Sequence, residues 1–179
     1  MLPERLSGDL CSIHEGVERP CLAVCMTIDK SGNKLKQRFY RGNIKSVASL
    51  NYEEVQKAID GKVNESVRPY LEKVIRPLYN SYTCLKKSKE TRQPLDLDLP
   101  ERKVELFKNG KVKKIVFKER FDSHKLIEEF MILANVAAAE ELFKAKSELL
   151  YRVHEEPTPE KLKALRAVSY THLRAHETV

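Results

Sequence analysis

Few side chains in this sequence are spaced for catalysis. Asp96 and Asp98 alternate in the stretch LDLDLP, so an extended backbone would project both carboxylates from one face, where a divalent ion could bridge them. Without a third oxygen donor nearby such a pair holds Mg2+ poorly, and a solvated strand edge is the simpler account. His172 and His176 have the four-residue spacing that puts two imidazoles on one helical face for zinc, but no catalytic Glu stands beside them. His14, His124 and His154 occur singly, a pattern more often structural than catalytic. Cys11, Cys21, Cys25 and Cys84 lack paired C-x-x-C spacing. There is no phosphate-binding glycine loop, no G-x-G-x-x-G and no G-x-S-x-G, so no nucleophile and base come as a ready unit.

Aromatic and basic residues are more informative. Tyr40, Tyr52, Tyr70, Tyr79 and Tyr82 are interleaved with Arg38, Arg41, Lys45, Arg68 and Arg76. That mixture suits unpaired nucleotides, because bases stack on rings while cations follow the phosphates. It equally suits an amphipathic surface, and Tyr79 and Tyr82, at helical spacing, read first as core or rim residues. Tyr52 is distinct in opening a short helix directly after a strand. A second pattern lies in DSHKLIEEFMILANVAAAEELFKAKSELL, where Glu128 and Asn135, two helical turns apart, fall on one stripe that can face a site. The alternative is that Glu128, Glu129, Glu140 and Glu141 mark the solvated side of the helix.

The elements that must position these residues follow from periodicity. The formal net charge of +7 and pI of 9.2 point weakly to a polyanionic partner; a hydrophobic fraction of 41% with 33% charged residues describes a folded, soluble chain of one domain, 179 residues long. The absence of an apolar leader makes reduced cysteines and a cytoplasmic location the expectation. Cys21 and Cys25 are expected to share the core face of a strand. CLAVCMTID and KLKQRFYRGNIKSVASL read as a hairpin turning at SGN, and NYEEVQKAID as a helix capped by Asn51 or Ser49 and stopped at Gly61. A longer helix follows, which Pro77 kinks or restarts. A second hairpin turns at Asn109 and Gly110, with positive φ open to both. The central helix starts at Asp122 or Ser123, is apolar on more than one face, and is too short to span a membrane. LLYRVHEE reads as a short strand, and a last helix opens near Pro159. The first twenty residues read as an irregular approach segment.

Four strings in this order, MLPERLSGDLCSI, NYEEVQKAI, HKLIEEFMILANVAAAE and LYRVHEEPTPEKL, resemble the catalytic (RNB) domain of the ribonuclease II and ribonuclease R exoribonucleases, in particular its bacterial ribonuclease R branch. The resemblance covers residues 1–167. It implies an α+β fold with a mixed sheet and hairpins packed around the long central helix, which lines a deep channel. It implies a hydrolytic, Mg2+-dependent enzyme that digests single-stranded RNA from the 3′ end to nucleoside 5′-monophosphates. By position, Tyr52 looks like the family tyrosine that contacts the 3′-terminal part of the RNA, and Glu128 like the glutamate that helps hold the terminal ribose. Asn135 shares the stripe of Glu128, and Leu97 stands where many relatives have an aromatic that stacks on the strand.

In the family the metal-binding aspartates precede the LPERLS string, and the serine, proline and arginine motif that assists cleavage follows the position of Ala167. Cold-shock and S1 domains flank the catalytic domain. The expectation is therefore an interior piece of an exoribonuclease that carries part of the RNA channel without the metal chemistry, and is inactive alone. The alternative is a non-catalytic RNA-binding or adaptor protein. Residues 168–179, VSYTHLRAHETV, break the amphipathic register of the last helix and lose the charge density of the rest, so they are expected to be a non-native tail.

Overall fold

The computed structural model describes residues 2–92, 102–117 and 119–172. Asp96, Leu97, Asp98 and His176 lie outside the described residues. The chain forms two compact units, Met1–Glu141 and Leu142–Val179.

In the first unit, a π-helical turn at Leu6–Leu10 gives the N-terminal segment more order than its mixed composition suggests. Strand β1 (Glu18–Ile28) pairs antiparallel with β2 (Lys34–Lys45). Their turn is built by Asp29, whose carboxylate accepts bonds from the Ser31 N–H at 2.8 Å, the Asn33 N–H at 2.8 Å and the Asn33 amide at 3.0 Å. These donors hold its carboxyl below the usual range, the Asn33 side chain foremost. Gly32 follows with φ +83°, and a Cβ placed there would lie 2.2 Å from the Cys84 carbonyl oxygen. Cys25 is exposed on β1 and Cys21 half-buried, so the pair does not share a core face. The burial alternation changes sides after Leu22.

Helix α1 (Tyr52–Ile59) is capped by Asn51, whose Oδ1 accepts the Glu54 N–H at 2.8 Å, and ends before Gly61 at φ +96°. Next come a single turn, α2 (Arg68–Tyr70), a π turn (Leu71–Ile75) and α3 (Arg76–Arg92). Pro77 follows directly on the π turn, which closes with the Arg76 N–H on the Leu71 carbonyl, and helical geometry runs on through Arg76, so the irregular turn accommodates the proline ring without a new helix start. Ala58, Val67, Leu71 and Ile75 form one buried cluster, with Val55 and Tyr79 packed against it.

Strands β3 (Arg102–Leu106) and β4 (Val112–Phe117) make a second antiparallel hairpin. At its turn Gly110 alone takes positive φ, +79°; Asn109 instead uses its side chain to accept the Lys111 N–H at 3.1 Å. The α+β class is as expected. The sheets, however, are two separate two-stranded antiparallel ribbons, and the described strands do not join into the mixed sheet that the resemblance implied.

Helix α4 (Asp122–Lys144) buries Ser123, Leu126, Glu129 and Ala137. The β1–β2 hairpin grips its far half: the Gln37 amide donates to the Ala137 carbonyl at 2.8 Å and to Glu141 at 3.1 Å, and Lys34 pairs with Glu140. Other apolar residues of α4 stay uncovered, Met131 at 61% exposure among them. Among the described residues no helix is long and apolar enough to cross a membrane.

In the second unit, residues 149–156 form no strand; Leu150 and Val153 are exposed and no described strand pairs with them, so a β-rich composition alone does not make an extended ladder. Helix α5 (Pro159–His172) runs through Val168, past the point where its periodicity breaks.

Replacing Gly32 with Ala forces a side chain into positive φ and against the α3 backbone. We expect a stability loss above the roughly 1–2 kcal/mol of the backbone conformation alone. An unchanged urea midpoint would show that the turn does not touch α3.

Candidate nucleic-acid interface

The candidate site is built where α1 and α4 begin. Ser123, buried at 3% exposure, uses both its polar hydrogens on α1: its N–H donates to Gln56 Oε1 at 3.1 Å and its hydroxyl to the Tyr52 carbonyl at 2.9 Å. Gln56 Oε1 also accepts the Tyr79 hydroxyl at 3.3 Å, and its amide donates to Asp60 at 3.1 Å. Sequence reasoning offered Ser123 as a helix cap. Its side chain instead reaches across to α1, and the N-terminal bond is made by His124, whose Nδ1 accepts the Phe121 N–H at 3.2 Å.

Tyr52 is the first residue of α1, 44% exposed, and its ring stacks on His124 with centroids 4.2 Å apart and planes 23° apart. His124 also stacks with Phe121, at 5.6 Å and 24°. One turn further along α4, Glu128 is 43% exposed and held by Arg120 Nη2 at 2.5 Å. Asn135, two turns beyond, is exposed. At about 100° per residue, His124, Glu128 and Asn135 lie within roughly 40° of one another, opposite Leu126 and Ala137. Ile127 and Met131 flank this polar line on one side, Ile132 and Val136 on the other, all exposed. The structure thus brings Tyr52, Glu128 and Asn135 to one side of α4.

The solvated reading of the four glutamates fails at Glu129, which is 4% exposed and pairs with Lys89 at 3.3 Å. Other parts of the aromatic and basic pattern serve structure. Tyr79 and Tyr82 meet edge to face at 6.4 Å in the interior, Arg68 pairs with Glu65 at 3.1 Å and Arg76 with Glu72 at 2.7 Å. Arg38 lies 4.9 Å from the centre of the exposed Tyr40 ring. Beside Tyr52 opens an apolar cavity of about 200 Å3, lined by Leu50, Val55, Ile75, Leu78, Tyr79 and Leu126.

No three His, Cys, Asp or Glu side chains converge for a metal ion among the described residues. Glu128 and Glu129 are committed to Arg120 and Lys89. Among the described residues, then, no side-chain cluster at this site fits a Mg2+ centre. What the surface offers is a ring for a base, a carboxylate able to accept from a hydroxyl through its remaining lone pairs, and an amide that can donate and accept.

The sequence offers His124 only as a lone, structural histidine; its contact with Tyr52, and the parts played by Gln56 and Arg120, escape it. The available signal for His124 was its place three residues after Phe121 at a helix start, where a side-chain acceptor closes the first turn.

A model of the RNB domain family matches residues 1–177. The chain is 36% identical over 170 residues to ribonuclease R of Escherichia coli (strain K12), covering 94% of this chain and 21% of that protein. It is 38% identical over 170 residues to ribonuclease R of Thermotoga maritima, covering 93% and 24%. The apo form of Mycoplasma genitalium RNase R superposes with a TM-score of 0.81 at 26% identity, over 95% of this chain and 26% of that one. The same protein in complex with ribose methylated single-stranded RNA gives 0.81, and in complex with double-stranded RNA 0.82. The chain spans between a fifth and a quarter of the length of these curated relatives.

Burial pushes the Tyr79 hydroxyl up to about 12, with the nearby Ser123 hydroxyl opposing the shift and Asp122 and Asp60 adding to it; burial likewise raises Tyr82. Below the ordinary value of 10.0 both folded and unfolded chains keep Tyr79 neutral, and its contribution is complete. As pH rises from 10.0 through about 12 the unfolded chain ionises first, so stability falls. Urea midpoints measured across that window should drop less steeply in Tyr79→Phe than in the parent; parallel slopes would remove Tyr79 from the account.

Proposed function

Because the chain belongs to the RNB-domain family, that of the ribonuclease R and ribonuclease II exoribonucleases, we propose that it is part of the catalytic domain of a hydrolytic 3′→5′ exoribonuclease and forms one wall of its RNA channel. The observation that carries this reading is the side of α4 on which His124, stacked on the half-exposed Tyr52 ring, and Glu128 lie about one turn apart. A ring accepts a base of any identity on its face, as an enzyme moving along a strand requires. A carboxylate accepts a hydrogen bond from a ribose 2′-hydroxyl, which DNA lacks. Arg120 fixes the Glu128 carboxylate in one orientation, leaving acceptor sites on it for the sugar. Asn135 extends the line for the sugar-phosphate backbone.

The bond-breaking step in this reading requires Mg2+ held by carboxylates elsewhere in a complete, cytoplasmic enzyme, because the acidic residues on this wall are already paired with cations. The uncovered apolar residues of α4, Ile127, Met131, Ile132 and Val136, support a role inside a larger domain, since a helix apolar on two sides is stable when both are covered.

The test is fluorescence anisotropy of this chain with labelled oligoadenylate in its ribo and deoxy forms, at fixed low salt. Tighter binding of the ribo form is expected. Tyr52→Ala should weaken both by about tenfold, from the loss of one stacked base, whereas Glu128→Ala should erode the preference for ribose. In Mg2+ the chain alone should release no nucleoside monophosphate from single-stranded RNA. Equal binding of the two oligonucleotides, indifferent to Tyr52→Ala, would dismiss the wall; monophosphate release would instead place a complete cleavage centre within these residues.

A further inference from the structure

We propose that His124 is the positioning residue for Tyr52, fixing the ring against which RNA is stacked; this rests on the wall reading above. Tyr52 opens α1, so no preceding helical turn exists for its side chain to lean on. Its orientation must come from another element. Two consecutive residues of α4 supply it: Ser123 binds the Tyr52 carbonyl at 2.9 Å, and His124 stacks on the Tyr52 ring at 4.2 Å with planes 23° apart. The first contact fixes the main chain and the second the aromatic plane.

His124 is itself held. Its Nδ1 accepts the Phe121 N–H at 3.2 Å, which requires the neutral ring to carry its proton on Nε2. Its face also meets Phe121 at 5.6 Å. A ring tied by a hydrogen bond and a second stacking contact is a firmer backing than a free aromatic, and Tyr52 keeps 44% of its surface open. Two simpler roles for His124, a helix-start acceptor alone or a metal ligand, leave the near-parallel contact with Tyr52 without a purpose.

The experiment compares His124→Ala, which removes the ring, with His124→Phe, which keeps the stack and loses the acceptor. The first readout needs no RNA: the Tyr52 ring resonances, assigned by their loss in Tyr52→Phe, should shift in His124→Ala and stay shielded in His124→Phe. The second is a double-mutant cycle on binding of labelled oligoadenylate. His124→Ala should weaken binding by roughly three- to tenfold where Tyr52 is present and change it little in a Tyr52→Ala background, with His124→Phe restoring most of the loss. A loss of equal size in both backgrounds would make His124 a general structural residue and overturn the proposal, as would Tyr52 resonances that ignore His124→Ala. If the parent chain binds no oligonucleotide the wall reading falls, and the ring resonances decide the role of His124 by themselves.

Discussion

Everything the candidate surface does depends on Ser123, a small polar residue buried where α4 begins. A buried hydroxyl and N–H are costly unless both find acceptors, and here both acceptors belong to α1. Gln56 completes the arrangement by taking the Ser123 N–H and the Tyr79 hydroxyl on a single oxygen. Three helices are thereby fixed at one point, and among the described residues no buried side-chain N or O lacks a partner. Such a network is rigid because any displacement strands several polar groups together.

From that point α4 acts as a divider. One side packs on the hairpin and on α3; Glu129 is tolerated within it because Lys89 accompanies the carboxylate. The other side carries a narrow line of His124, Glu128 and Asn135 between two apolar borders. The polar line and its apolar borders are thus carried on one continuous helix.

Much of this was legible in the sequence because it is local. Asn51 as cap, Gly61 as stop, Gly110 at a turn and the stripe shared by Glu128 and Asn135 follow from residue type and spacing. What was not legible depends on contacts between distant residues. Glu129 lies about 100° round α4 from Glu128, on the packed side, and no spacing rule foresees its partner Lys89. Ser123 looked like an ordinary helix-start residue and His124 like a lone structural histidine; their contacts with α1 exist only once α1 is docked. LLYRVHEE has the composition of a strand, but composition cannot supply the neighbouring backbone that a ladder needs. The antiparallel ribbons likewise depend on which strands meet, which a list of extended segments leaves open.

The contact between Gly32 and the Cys84 carbonyl bears on how the chain reaches this arrangement. Only a hydrogen atom fits between the turn and α3. A hairpin formed one residue out of register would offer Ser31 or Asn33 at that spot, and either would be refused by the helix. Docking on α3 therefore favours the strand alignment that sets Gly32 against the helix.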